Sequence, residues 1–130
     1  MTSKIYRRNI LWLFCVGIGG AVESICRYLL GLIKIGSESI FPINTLIINV
    51  LGSFLIGIVA LYSFKNSNMD SNLLLLLKIG ICGGFTTFST FAYETINLVQ
   101  DGKVLMALIY IVLSVTLSLS ALLLANILVK

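Results

Sequence analysis

Four groups of residues in this sequence could do chemistry, and none of them is an enzyme's. The first is a polar ladder, Thr45, Asn49, Ser53 and Gly57, spaced every four residues. The second is Tyr110, Ser114 and Ser118 at the same spacing, with Thr116 and Ser120 forming a neighbouring stripe. The third is the run Gly83-Gly84-Phe85-Thr86-Thr87-Phe88-Ser89-Thr90-Phe91. The fourth is a sparse set of charges inside apolar surroundings: Glu23, Arg27, Lys78 and Glu94. Spacing of four puts side chains on one face of a helix. Such faces offer hydroxyls, one carboxamide and ring edges, which together can solvate a small ion. Histidine is absent, no nucleophile stands near a base, and no glycine-rich loop joins a strand to a helix, so catalytic readings fail.

The elements that must carry these groups are membrane helices. Apolar residues make up 58% of the 130 and charged residues 11%, far below the ~25% usual for soluble domains. A soluble fold of one small domain could not hide that much apolar surface. Four runs are long enough to cross a hydrocarbon core that needs roughly 20 helical residues: about 10–33, 41–64, 73–99 and 104–129. The turns between them are short, which predicts antiparallel neighbours. Lys4, Arg7 and Arg8 precede the first run as in a secretory signal, but that run continues to Ile33 with no cleavage motif and reads as a span. The predicted fold is thus a single all-α, four-helix transmembrane domain.

The net charge of +4 is scattered, without the basic stripe that nucleic acid requires. Cys15, Cys26 and Cys82 sit singly in apolar runs, a pattern of small helix residues rather than of disulfides or zinc ligands. Glycines and threonines crowd residues 83–90, all weak helix formers. Twelve residues of helix before them would reach only ~18 Å, too short to span. The third run is therefore expected to be a discontinuous helix, regular from Leu73 to Gly84 and broken around Gly83 to Phe88. Carbonyls freed at that depth must be buried in protein or used on an ion.

Spacing alone leaves two roles open for the ladders. Asn49 and Ser53 can hydrogen-bond between helices or line a wet path, and helix hydroxyls can also bond back to their own carbonyls. Glu23 and Arg27, at i and i+4, can neutralise one another. Arg27 and Glu94 can instead sit in aqueous vestibules, where an arginine attracts anions.

The third-run motif, with Glu94 following, resembles the third-helix signature of the Fluc (CrcB) fluoride channels. Asn49-Val50-Leu51-Gly52-Ser53-Phe54 is similar to that family's second-helix motif, and Gly19-Gly20-Ala21 with Arg27-Tyr28 to its first. The resemblance covers the whole chain. It implies a passive fluoride channel of the bacterial inner membrane, built as an antiparallel, dual-topology type of dimer with two pores and a structural sodium ion on the two-fold axis. By that resemblance Phe88 and Phe91 present ring edges to fluoride, and Asn49 and Thr45 face the pore. Ser89 and Thr90 lie near the break, while Tyr110, Ser114 and Ser118 form the fourth-helix polar track. Arg27 and Glu94 take charged positions near the route, and the carbonyls of Gly83 and Thr86 hold the sodium.

Two residues depart from the family pattern. Glu23 stands where the first-helix motif commonly has glycine, and Leu122 where another track hydroxyl is usual. Positive charge is also uneven across the expected topology. Lys4, Arg7, Arg8, Lys65, Lys78 and Lys130 fall on the N-terminal side, against Lys34 and Lys103 on the other. Six against two predicts a cytoplasmic N-terminus in one fixed orientation rather than both, as in family members whose paired, singly oriented subunits form heterodimers. The partner is then a paralogous subunit, and an identical chain if both orientations occur. The rival reading is a small proton-coupled multidrug exporter using Glu23, for which Arg27 one turn away is a poor neighbour. A non-transporting assembly subunit would explain the glycines but not the Thr-Phe-Ser-Thr-Phe run.

Overall fold

The computed structural model describes residues 2–33, 40–65, 70–82 and 87–129, with backbone alone at 2–9, 71, 81 and 82. Among these the chain is all helical, without strands. In order come α1 (Thr2–Leu32), α2 (Ile43–Lys65), the single turn α3 (Ser71–Leu74), a π-helical stretch π1 (Leu75–Cys82), α4 (Phe88–Gln100) and α5 (Val104–Val129). Three stretches are long and apolar enough to cross a membrane: Ile10–Leu32 of α1, α2 and α5. At ~1.5 Å per residue the 31 residues of α1 reach ~46 Å, more than a ~30 Å core.

Local chemistry sets the helix ends. Pro42 immediately precedes α2, where its missing N–H costs nothing, and its carbonyl accepts the Leu46 N–H at 3.2 Å. Asn44 reaches back to the end of α1, donating Nδ2 to the Ile33 carbonyl at 2.9 Å, a group left over by the helix. Asp70 caps α3, its Oδ1 accepting from the N–H of Asn72 at 2.8 Å and of Leu73 at 3.1 Å. After α4, Gly102 turns left-handed at φ +76°. The Lys103 N–H bonds the Leu98 carbonyl at 2.8 Å and the Gly102 N–H that of Val99 at 3.0 Å, the paired bonds of a Schellman close.

Two close approaches hold the helices together. Where α1 meets π1, Gly19 and Gly80 are in backbone contact; a Cβ on Gly19 would stand 2.7 Å from the Gly80 Cα. Where α2 meets α5, a Cβ on Gly57 would stand 2.8 Å from that of Ala125. Small residues at such crossings let backbones approach, the usual basis of association in lipid. The apolar core is correspondingly small: Ile48, Leu98, Ala107, Tyr110 and Ala125 are the buried apolar residues described. Large side chains such as Leu105, Leu119, Leu123 and Ile127 face outward on α5. Water would not tolerate that surface, and lipid does.

The third apolar run departs from the regular helix expected over Leu73 to Gly84. Only Ser71–Leu74 is α-helical, and Leu75–Cys82 takes the wider π turn. Nothing in a run of leucines asks for that geometry, so its cause is tertiary. Gly80 sits against the Gly19 backbone and near the Cys15 and Val16 carbonyls, and the widened turn carries it there. Residues 83–86, and with them the expected cation ligands Gly83 and Thr86, lie outside the described residues. Thr87, on the far flank, is extended (φ −113°, ψ 98°), and α4 starts directly after it.

Candidate functional site

Two cavities meet at one side chain. The first, about 340 Å³, lies between α2, α4 and α5 and is lined by Asn49, Ser53, Phe88, Phe91, Ser114, Val115, Ser118 and Leu119. Its polar groups are an amide and three hydroxyls, and it contains no formal charge. The Phe88 and Phe91 rings stand 5.7 Å apart, tilted at 44°. Phe91 is fixed from behind by Tyr110 at 5.2 Å, and Phe41 meets Tyr110 edge-on at 5.5 Å and 84°. Phe88 is 79% exposed. The Ser114 hydroxyl is buried beside the Tyr110 side chain, without a hydrogen-bond partner among the described residues, so it is a donor not committed within the chain.

The second cavity, about 590 Å³, lies where α1, α2 and α4 converge. Arg27, Asn44, Thr45, Asn49, Thr87, Ser89, Thr90 and Glu94 line it, with Ser24, Tyr28, Gly31 and Ile48. Here the charges are paired or clamped. Arg27 Nε lies 3.2 Å from Glu23 Oε1, and Arg27 Nη1 donates to the Thr87 hydroxyl. Glu94 accepts from Thr45 Oγ1 at 2.8 Å on one oxygen and from the Tyr110 hydroxyl at 2.8 Å on the other. Both of its oxygens are thereby held by donors.

Asn49 lines both cavities, and its orientation follows from its partner. The Thr87 N–H, one of the orphan donors at the start of α4, bonds Asn49 Oδ1 at 3.0 Å. A backbone N–H can only donate, so the amide oxygen is the engaged end. Nδ2 has no hydrogen bond among the described residues, which leaves its two N–H bonds as donors where the cavities meet. Asn49 is thus both a lock between α2 and α4 and a donor at the junction.

Residues 14–126 match the CrcB-like (camphor resistance) protein family. The chain belongs to the CrcB family. It is 43% identical over 124 residues to the fluoride-specific ion channel FluC of Ruminiclostridium cellulolyticum, covering 95% of each chain. With the protein of that name from Azobacteroides pseudotrichonymphae it shares 39% over 119 residues, 91% of this chain and 95% of the relative. With fluoride-specific ion channel FluC 2 of Clostridium acetobutylicum it shares 47% over 103 residues, 78% and 84%. These are names of channels, not of enzymes. With three helices of spanning length, this CrcB chain is a multi-pass protein of a bacterial membrane.

The expected CrcB site residues divide between the two cavities. Phe88, Phe91, Ser114 and Ser118 share the uncharged one with Asn49. Thr45, Ser89, Thr90, Arg27 and Glu94 share the charged one, so Ser89 and Thr90 lie beside the charges rather than the phenyl rings. Tyr110, fully buried, lines neither cavity and instead ties Glu94 to Phe91. Thr116 bonds back to the Val112 carbonyl at 2.7 Å, which takes this member of the second stripe out of the site. Sequence reasoning left two roles unassigned. Thr87 joins Arg27 to Asn49, and Asn44 closes the end of α1 while lining the charged cavity. The signal for Asn44 was there, a carboxamide directly after Pro42 and Ile43 at a helix start; that for Thr87 was diluted by its threonine neighbours.

Proposed function

We propose that this chain is a subunit of a fluoride-selective channel that lets fluoride leave the cytoplasm passively and so lowers its concentration there. The carrying observation is the uncharged cavity, in which two phenyl rings, an open Ser114 hydroxyl, Ser118 and the Asn49 amide face one space. Ring edges are electropositive, so they and the hydroxyls can replace water around an anion without a countercharge that would hold it. Arg27 at the charged cavity draws the anion in, and Asn49 Nδ2 passes it between the two spaces. No fuel is required: 100 mV, negative inside, is worth about 2.3 kcal/mol per charge, roughly fifty-fold in concentration. The names of the relatives support the same ion. Liposomes loaded with fluoride and holding the purified protein, with its partner subunit if it needs one, should empty rapidly and electrogenically while retaining chloride. Equal passage of the two ions would end this reading.

The finer architecture is part of the proposal. α3 with π1, and α4, are the two pieces of one broken crossing, which makes four crossings in all. Two chains assemble in antiparallel fashion at the bacterial inner membrane; the exposure of Phe88 on the rim of the site supports a covering second subunit. Gly83 and Thr86 hold a structural sodium through backbone oxygens. Backbone carbonyls are neutral oxygens, a donor set suited to a hard ion. Exchange of sodium for a large organic cation should then abolish flux. The uneven basic residues support one fixed orientation and a paralogous partner. In a chain freed of its native cysteines, a thiol at position 68 should label only from inside and one at 37 only from outside. Labelling of both from outside would restore an identical, oppositely inserted pair.

The exporter reading needs Glu23 free to exchange a proton for a cationic drug. Glu23 is instead engaged by Arg27 and by the Ser24 hydroxyl, and Trp12 lines a different hollow with Leu74 and Lys78.

A further inference from the structure

Glu23 is 3% exposed, a carboxylate buried on a membrane helix. Such a charge is costly unless it is paired, and it persists where it does something. Its two oxygens are addressed separately. The Ser24 hydroxyl donates to Oε2 at 3.2 Å, while Arg27 Nε lies 3.2 Å from Oε1 as an ion pair not aligned as a hydrogen bond. From Arg27 the connections continue in one direction. Nη1 grips the hydroxyl of Thr87, the residue that opens α4, and the Thr87 N–H holds Asn49 Oδ1. Four residues on three elements thus form one chain of contacts that ends at the amide between the two cavities.

The charge ledger of the larger cavity gives this chain a second consequence. Arg27 is the cation lining it and Glu94 the anion, and Glu94 is committed to Thr45 and Tyr110 rather than to Arg27. The neutralising partner of Arg27 is therefore Glu23, packed behind it and out of the cavity lining. A guanidinium facing an anion's route with no countercharge would bind the anion and delay its release.

We propose that Glu23 is a positioning residue of the conduction path: it aims Arg27 at Thr87, which sets the Asn49 amide, and it cancels enough of the Arg27 charge for an anion to pass rather than lodge. This rests on the fluoride reading above, and its test is made within a wild-type protein already seen to conduct, so failure of one is distinct from failure of the other. Fluoride flux is measured against fluoride concentration in liposomes for wild type, Glu23→Gln, Arg27→Gln and the double variant. Glu23→Gln, nearly isosteric, should lower both the half-saturating concentration and the maximal flux, each by about tenfold, the pattern of an anion held too well. Arg27→Gln should lower maximal flux without tightening, since the Thr87 contact is lost but no bare charge appears. The double variant should match Arg27→Gln, because Glu23 acts only through Arg27. Glu23→Asp, which keeps the charge at i,i+4, should stay close to wild type. If Glu23→Gln alone does not fold, the double variant, which buries no unpaired charge, against Arg27→Gln still decides. A further loss in the double, or a Glu23→Gln curve of unchanged shape, overturns the proposal and leaves a structural ion pair.

Discussion

The two cavities beside Asn49 solve opposite problems with different residues. On one side Arg27 and Glu94 bring full charges to the route, Arg27 paired with Glu23 behind it and Glu94 held by two donors. On the other, Phe88, Phe91, Ser114 and Ser118 offer only partial charges, and Ser114 is left open. Charge gathers an anion from water, but it also retains it; ring edges and hydroxyls bind more weakly and let go. The contrast implies that substitutions in the uncharged cavity should act on passage itself, and those in the charged cavity on capture.

The sharpest way to break that contrast is to remove the ring edges. Phe91→Ile should cut fluoride flux by about a hundredfold or more, about 2.7 kcal/mol of barrier, because an aliphatic side chain has no positive edge and the ring is also seated on Tyr110. Phe88→Ile should do nearly as much, with less effect on folding, since that ring is largely exposed in the single chain. Efflux from liposomes, with assembly checked by size-exclusion chromatography, measures both. Wild-type flux from two well-assembled variants would mean that the rings are packing and nothing more.

Next in size is the junction. Asn49→Asp keeps the oxygen that receives the Thr87 N–H but replaces the donating Nδ2 with a second oxygen that carries charge. Flux should fall at least about tenfold, about 1.4 kcal/mol. Chloride should remain excluded, because the phenyl rings and serine hydroxyls of the uncharged cavity are unchanged. A fluoride current that survives this change would place the route away from Asn49.

How far these residues could be read in the sequence depended on how local their causes were. Periodicity exposed the three long helices, because lipid imposes a length and a hydropathy that any window reveals. The Schellman close at Gly102 was legible as a short glycine-bearing turn. The π turn over Leu75–Cys82 was not, since the close packing it carries is against Gly19, some sixty residues earlier and outside any local window. Likewise the four-residue spacing put Tyr110, Ser114 and Ser118 on one face but could not separate them. Tyr110 is spent on Glu94 while the serines line the cavity, and that division depends on where α2 and α4 fall. The link from Arg27 to Thr87 spans sixty residues and has no sequence signature at all.

On the charged side the expected effect is smaller and of another kind. Glu94→Gln removes a negative charge from the cavity, while the remaining oxygen can still accept from Thr45 or Tyr110. With Glu23 still cancelling Arg27, the anion then meets less repulsion on entry. The half-saturating fluoride concentration should fall several-fold and maximal flux should change by less than about tenfold, a difference under ~1.4 kcal/mol. A loss as deep as that of Phe91→Ile would erase the distinction between capture and passage.

The finest test of the comparison lies within α5, where two hydroxyls two residues apart differ in burial and in what they already bond. Thr116 is exposed in the single chain and satisfied by the Val112 carbonyl at 2.7 Å, so Thr116→Val removes a bond that serves its own helix. Ser114 is buried on the wall of the ring cavity with no hydrogen-bond partner among the described residues, so Ser114→Ala removes a donor available to a guest. A neutral hydrogen bond contributes roughly 0.5–1.5 kcal/mol net, which sets the expected loss for Ser114→Ala at about three- to tenfold in flux. Thr116→Val should leave flux within about twofold of wild type. Both should assemble normally, since alanine at 114 leaves only the space of one oxygen and valine matches threonine in shape. If the two variants conduct alike, the open hydroxyl is not a ligand, and solvation in that cavity would fall to the rings and Asn49 alone.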